Sequence, residues 1–425
     1  MVTGFAALVR AADAARALRP ATPLALATLV AVEGSSYRQP GARLLVDADS
    51  RVLAGAISGG CLEGDVAARA AEVCASGQPA LLRYDLRDDL EAIWGFGSAC
   101  DGIATILLEP LLQREPGGWL AEAEATRMAR LGGAVVTHVG DGDGASRDTS
   151  ARGSSPVATT SLGTIAVVRG DTIAAVHDGA SQTASRWSSL RWRDAIMRGA
   201  GLAQQTQHVH REPVDGGVLF IDPLVAPIAL HVVGAGRGAE AFCSIARTLG
   251  WHATVLDHRP ALLEALTLPP DVTSLHAHPN GAADVLRTLP TDSRTAVALL
   301  THMFDTDLAW LSALLTTDVG YVGVLGSRQR AAKLIERLRA HASTEASQHL
   351  PTMLNRLHAP IGLDLGGETP ESIALASIAE IEAMMHGRPG GSLRSRQSPI
   401  HERTPVPALQ GATNATVGNA SCDLP

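Results

Sequence analysis

The chain has 425 residues, 46% of them hydrophobic and only 18% charged, which is enough apolar material for more than one core and excludes global disorder. A net charge of −8 leaves no basic footprint for nucleic acid or an anionic membrane. Lys333 is the only lysine, and it lies between Ala332 and Leu334, so a Gly-Lys-Ser/Thr phosphate loop is excluded.

Apolar residues at helical spacing (Phe5, Leu8, Val9, Ala12, Ala15, Leu18) predict a helix over 5–19, ended by Pro20. Residues 24–32 read as a buried strand and 43–46 as a second. A turn at 47–50 leads to a strand over 51–57 that closes a hairpin. A helix is expected over 62–76 with Gly77 at its C-terminal cap, then a strand over 103–109. Residues 140–161 are rich in Gly, Asp, Ser and Thr and read as a flexible surface loop. A second hairpin is expected from 162–168 and 172–176, and a strand over 218–221. Residues 223–227 read as a linker. From 229 to 387 short apolar runs (229–233, 253–256, 272–275, 295–300, 321–325) alternate with helical patterns, the rhythm of a doubly wound parallel sheet. The stretch 388–425 is Pro, Gly, Ser and Arg rich and is expected to be disordered.

The five cysteines, Cys61, Cys74, Cys100, Cys243 and Cys422, are odd in number and widely spaced, with no zinc spacing and no disulfide framework. A reducing, cytoplasmic home fits them, and the N-terminus carries no secretory pattern. The longest apolar stretch, around 21–32, is shorter than a membrane span.

Gly234-Ala235-Gly236-Arg237-Gly238-Ala239 follows a strand and opens an amphipathic helix, the context in which a Gly-x-Gly-x-x-Ala loop binds phosphate. Asp257 ends the next strand, where a carboxylate meets ribose hydroxyls. The alternative for the loop is a turn that serves packing alone. Gly326-Ser327-Arg328 follows the last strand in the same way. It reads equally as a second anion clamp or as an N-cap by Ser327 with a solvated Arg328.

Ser58-Gly59-Gly60-Cys61-Leu62-Glu63 joins a strand to a helix start, where a cradle for an oxyanion and a lowered thiol pKa are both expected. A lone cysteine there is more often a quiet core residue. A second loop, residues 94–102, again sets glycines around a cysteine, Cys100, so that the two loops look like two sides of one pocket. Cys74 and Cys243 read as small packing residues. His358 and Asp364 form either an acid–base pair or two residues fixing a glycine-rich loop, and Thr369-Pro370 reads as a helix start.

Together the segments 34–42, 58–64, 100–102, 323–328 and 358–370 closely resemble the XdhC/CoxI family, accessory proteins of xanthine dehydrogenase and related molybdenum hydroxylases. The resemblance covers roughly residues 1–110 and 226–387. It implies an α/β architecture with an XdhC/CoxI-like cofactor-binding domain over 1–222 and a Rossmann-like doubly wound parallel sheet over 226–387. It further implies a chaperone that binds molybdenum cofactor (molybdopterin), protects it, supports its sulfuration and inserts it into an apo molybdenum hydroxylase. That is a binding protein rather than an enzyme with turnover. On this reading Cys61 meets the cofactor and is the candidate metal contact, Gly59, Gly60 and Glu63 belong to its cradle, and Cys100 forms the opposite wall. Gly234, Gly236, Asp257, Gly326, Ser327 and Arg328 would hold a phosphate or nucleotide. The implied partners are the apo-hydroxylase and a sulfurtransferase, with a homo-oligomer allowed by the family. The sequence departs from the family's pattern at Tyr37, often proline there, and at Ala99, often glycine. The competing reading is an NAD(P)-dependent oxidoreductase built on the Gly234 loop, and a third is a purely structural partner of a hydroxylase.

Overall fold

The computed structural model of the chain describes residues 4–34, 36–60, 62–85, 102–111, 118–139, 162–163, 165–177, 190–214, 217–341, 344–397 and 413–414. The chain divides into two compact units, Met1–Ala226 with Arg403–Pro425, and Pro227–Glu402. The expected flexible loop 140–161 and the 94–102 loop up to Asp101 lie outside the described residues, as do Cys61, Cys100 and Cys422.

The first unit holds two antiparallel sheets. Strands β1 (Leu24–Gly34), β2 (Arg43–Asp47), β3 (Val52–Gly55), β4 (Ala80–Asp85) and β5 (Gly102–Leu111) form one sheet in the order β4-β5-β1-β2-β3. Within the stretch expected to be disordered, Thr413–Asn414 pairs in parallel beside β4 and Leu393–Ser395 makes a single 3-10 turn. β1 is central because it is apolar on both faces. Ala25, Ala27 and Leu29 face the helix Glu63–Ser76, whereas Leu24 and Leu26 face Phe5, Leu8 and Trp119. The Glu63–Ser76 helix presents Val66, Ala67, Ala70 and Val73 to that sheet, and Gly77 ends it in the left-handed conformation, donating its N–H to Val73 O.

The second sheet consists of β6 (Gly133–Val139), β7 (Ile165–Arg169), β8 (Thr172–His177), β9 (His210–Val214) and β10 (Gly217–Pro223), ordered β8-β7-β6-β10-β9. The helix Leu190–Thr206 covers one of its faces through Trp192, Ile196, Ala200 and Ala203. The other face meets Phe5, Leu24 and Trp119 through Val135, Ile165 and Val167. The sequence pattern predicts the β7–β8 hairpin and β10, but not β4, β6, β9 or the helices Gly118–Met128 and Leu190–Thr206.

Polar groups enter this core as a network. The Arg43 guanidinium, 2% exposed, donates to Asp222 Oδ2 at 2.5 Å and to Gly41 O at 3.2 Å, and lies 4.7 Å from the Phe5 ring centroid. Burial lifts the Glu109 carboxyl to about 8 against the pull of Arg43. A folded-state pKa above the unfolded value means that Glu109 stabilises below about pH 4.5 and that this stability drains away as pH rises toward 8. Asp222, also raised by burial, acts in the same direction. Unfolding of the wild type is therefore expected to become easier from pH 5 to 9, by on the order of 4 kcal/mol. Glu109→Gln should flatten that slope in denaturant titrations at each pH, and an unchanged slope in the variant would rule Glu109 out as its source.

The second unit is one parallel sheet. Its strands are β11 (Ala229–Val233), β12 (His252–Asp257), β13 (Thr273–His276), β14 (Thr295–Leu299), β15 (Tyr321–Val324) and the two-residue β16 (Leu357–His358). They are ordered β13-β12-β11-β14-β15-β16 and every pairing is parallel. The helices Arg237–Thr248 and Pro370–Met385 pack on one face through Ala239, Phe242, Cys243, Ala246, Ala374, Ile378 and Ile381. Trp310, Leu311, Leu334, Leu338 and Met353, from three other helices, cover the opposite face. This is the doubly wound sheet expected over 226–387. The strand order reverses between β11 and β14, which opens a crevice at the carboxyl ends of those strands. Among the described residues no helix is long and apolar enough to cross a membrane.

Candidate functional site

In the first unit the Ser58–Gly60 turn is built on Glu63. The carboxylate of Glu63 accepts the Ile57 N–H at 3.0 Å and the Ser58 N–H at 2.8 Å through Oε1, and the Ser58 hydroxyl through Oε2. Ser58 Oγ in turn accepts the N–H groups of Gly60 at 3.1 Å and Leu62 at 3.2 Å. Glu63 thus organises the loop from inside, and the Gly60 amide points back at Ser58. Gly60 has φ +117°, and a Cβ there would meet no atom within 4 Å, so the space before the loop is open. The Tyr37 ring, 66% exposed, lies against Gly59, where a Cβ would sit 3.8 Å from the ring, and the Arg38 guanidinium lies 5.4 Å from the ring centroid. An open glycine turn beside an exposed aromatic face can receive a flat, anionic group. Behind the loop, buried Asp65 accepts from Tyr84 Oη at 2.6 Å and Arg69 Nε at 2.7 Å, which ties the helix start to β4.

Of the cysteines among the described residues, Cys74 is half-buried and Cys243 fully buried. Burial pushes the Cys243 thiol up to about 12, so it packs as a small apolar residue.

In the second unit the glycine loop sits where β11 ends. Gly234 has φ +118°, and a Cβ on it would lie 2.9 Å from the Leu300 carbonyl carbon. Gly236, the residue before the Arg237–Thr248 helix, has φ −101° and no side-chain cap, and a Cβ there would meet nothing within 4 Å. Asp257 stands at the end of β12, but its carboxylate turns inward. Oδ2 accepts the Ala235 N–H at 2.7 Å and Arg259 Nη2 at 2.8 Å, and Oδ1 accepts the Arg259 N–H and Nε, both at 2.9 Å. Burial alone would raise this carboxyl, but the hydrogen bonds from Arg259 and Ala235 outweigh it and hold the pKa at about 2.

The loop after β15 takes the helix-capping form. Ser327 Oγ accepts the Arg330 N–H at 3.3 Å, and Ser327 and Arg328 are exposed. Gly326 packs on Arg330, whose Cδ would lie 3.0 Å from a Cβ at 326. Three residues that sequence reasoning missed brace this edge. Thr301 Oγ1 donates to Asp307 Oδ1 at 2.5 Å, and Arg330 Nη1 lies 2.7 Å from Asp307 Oδ2, with Asp307 fully buried. The buried Thr and Asp and the partly buried Arg lack a local pattern, because their pairing joins positions 301, 307 and 330 from a loop and two helices.

His358 is not paired with Asp364, which is exposed. Its Nδ1 lies 3.2 Å from Glu380 Oε1, and its ring stacks on Tyr321 at 4.4 Å. Glu380 also accepts the Tyr321 hydroxyl and, at 2.8 Å, the Gly362 N–H. Histidine and carboxylate here fix the loop that follows β16. Thr369 caps the next helix, accepting the Ser372 N–H at 3.2 Å with Pro370 in the first turn. Among the described residues no three His, Cys, Asp or Glu side chains gather where they would hold a metal ion.

Comparison with known proteins agrees with this division. Residues 17–85 match the XdhC and CoxI family, and residues 230–381 match the XdhC Rossmann domain. A Bacillus subtilis protein described as a probable subunit of xanthine dehydrogenase is 27% identical over 357 residues, 84% of this chain and 91% of that protein. The Escherichia coli uncharacterized protein YqeB is 30% identical over 191 residues, 45% of this chain and 33% of that protein. A solved Bacillus halodurans structure, described as a xanthine dehydrogenase, shares the fold with a TM-score of 0.65 and 24% identity, covering 93% of this chain and 98% of that one. With matches in both units, the chain belongs to the XdhC and CoxI family.

Proposed function

We propose that the chain serves in the maturation of a xanthine dehydrogenase-type molybdenum hydroxylase, as a cytoplasmic chaperone that holds molybdenum cofactor, supports its sulfuration and passes it to the apo-enzyme. The observation that carries this reading is the similarity, over 84% of the chain, to a protein described as a probable subunit of xanthine dehydrogenase. The open turn at Gly59-Gly60, held by Glu63 and flanked by Tyr37, supports it physically. It fits a flat pterin with a phosphate, and Cys61 follows it directly in sequence. Bound there, the cofactor would bring the molybdenum centre that the hydroxylase requires. The chain's own residues would bind and shield it, Gly60 by leaving room, Tyr37 by stacking, and Cys61 as a soft ligand or sulfur acceptor. The apo-hydroxylase and a sulfurtransferase are the partners this role needs.

The test is retention of isolated molybdenum cofactor after gel filtration. Wild type should retain it stoichiometrically and Cys61→Ala should lose most of it. A wild-type protein that emerges without cofactor would overturn the reading. The competing reading, an NAD(P)-dependent oxidoreductase, is favoured by the Gly234 loop. It would replace the first if reduced nicotinamide were oxidised in a substrate-dependent way.

A further inference from the structure

At the end of the second strand of a dinucleotide-binding sheet, a carboxylate ordinarily accepts the ribose hydroxyls. Asp257 occupies that place and cannot play that part. It is 1% exposed, and both of its oxygens are engaged by Ala235 and Arg259. What the edge presents outward is Arg259. Asp257 grips its guanidinium through Nε and Nη2, which fixes the plane of the fork while 40% of the side chain stays exposed.

Three histidines gather at the ends of β12 and β13, and the Nδ1 of one of them, His278, accepts the Asn280 N–H at 3.3 Å. The His258 and His278 rings stand edge to face at 6.2 Å, and His276 Nε2 lies 3.0 Å from the His258 carbonyl oxygen. His276 and His278 are exposed. Arg237, exposed, begins the helix behind the glycine loop. Gly236 leaves open space in front of that helix, although its own φ of −101° makes no demand for glycine.

A free ribose diol would find the Asp257 carboxylate already taken by Ala235 and Arg259. Arginine has donors only, and its fork matches the oxygens of a phosphate. We propose that the second unit binds a nucleotide whose ribose carries a phosphate monoester, of the NADPH type, with the ester phosphate on Arg259 and the diphosphate before Gly236. The assignment is separate from cofactor delivery by the first unit.

Titration calorimetry on the full-length chain with NADPH, NADH and coenzyme A tests it. NADPH should bind at least tenfold more tightly than NADH, and more tightly than coenzyme A, whose ester sits on the 3′ oxygen. Arg259→Gln, checked for folding by circular dichroism, should erase the preference by weakening NADPH and leaving NADH nearly unchanged. Equal or tighter binding of NADH, tighter binding of coenzyme A, or no binding of NADPH would each overturn the proposal. The wild-type comparison decides the matter even if the variant misfolds. A protein that retains molybdenum cofactor but ignores NADPH refutes this inference alone, and the converse refutes only the delivery role.

Discussion

Arg43→Ala is expected to destabilise the first unit by about 3–5 kcal/mol, because it strands a buried carboxylate rather than merely deleting a bond. Arg43 and Asp222 form an ion pair at 2.5 Å between side chains that are 2% and 10% exposed, and they tie β2 to the end of β10. Without the guanidinium, Asp222 must take up a proton to stay buried, and the contact with Phe5 is lost as well. Denaturant unfolding at pH 7 measures the loss. The double replacement Arg43→Met with Asp222→Leu should recover most of it, since an apolar pair of similar volume carries no desolvation penalty. A loss below about 1 kcal/mol in the single variant would mean that the pair contributes little more than a surface bridge.

Gly234→Ala and Gly236→Ala should part sharply. At 234 a methyl group meets the Leu300 carbonyl carbon at 2.9 Å and the Thr301 nitrogen at 3.0 Å, with φ at +118°. Backbone cannot yield as a flexible side chain does, so a cost of about 2–4 kcal/mol to the second unit is expected. At 236 the methyl enters open space with φ at −101°, and stability should change by less than about 1 kcal/mol. Thermal unfolding of the two variants checks the contrast. Gly236→Ala then isolates the role of the loop toward a ligand, which Gly234→Ala cannot do because it damages the fold first.

The elements that were legible in advance share a physical trait: their apolar pattern is local and strong. The 5–18 helix, β1, the β2–β3 hairpin, the 63–76 helix and the five main strands of the parallel sheet are of this kind. The Leu190–Thr206 helix was not, because Gly199, Gly201 and several arginines dilute its periodicity. Its reason for being helical is tertiary. Trp192, Ile196, Ala200 and Ala203 pack on the second sheet, and the helix approaches it so closely at Gly199 that a Cβ would displace the end of the Ile221 side chain. β6 similarly depends on partners distant in sequence.

The candidate sites divide along the same line. The glycine loop at 234, the turn at 58–60 and the helix start at Thr369-Pro370 could be read from the chain, because a glycine's freedom, a cap and a strand-to-helix junction are properties of neighbouring residues. What each acid does could not be read. Glu63 holds its own loop, Asp257 is closed off by Ala235 and Arg259, and His358 answers to Glu380 rather than Asp364. A carboxylate accepts whichever donors folding brings within about 3 Å. Residue order therefore announced the family and the two-unit plan, whereas the partner of each buried charge was decided only when distant strands and helices closed around it.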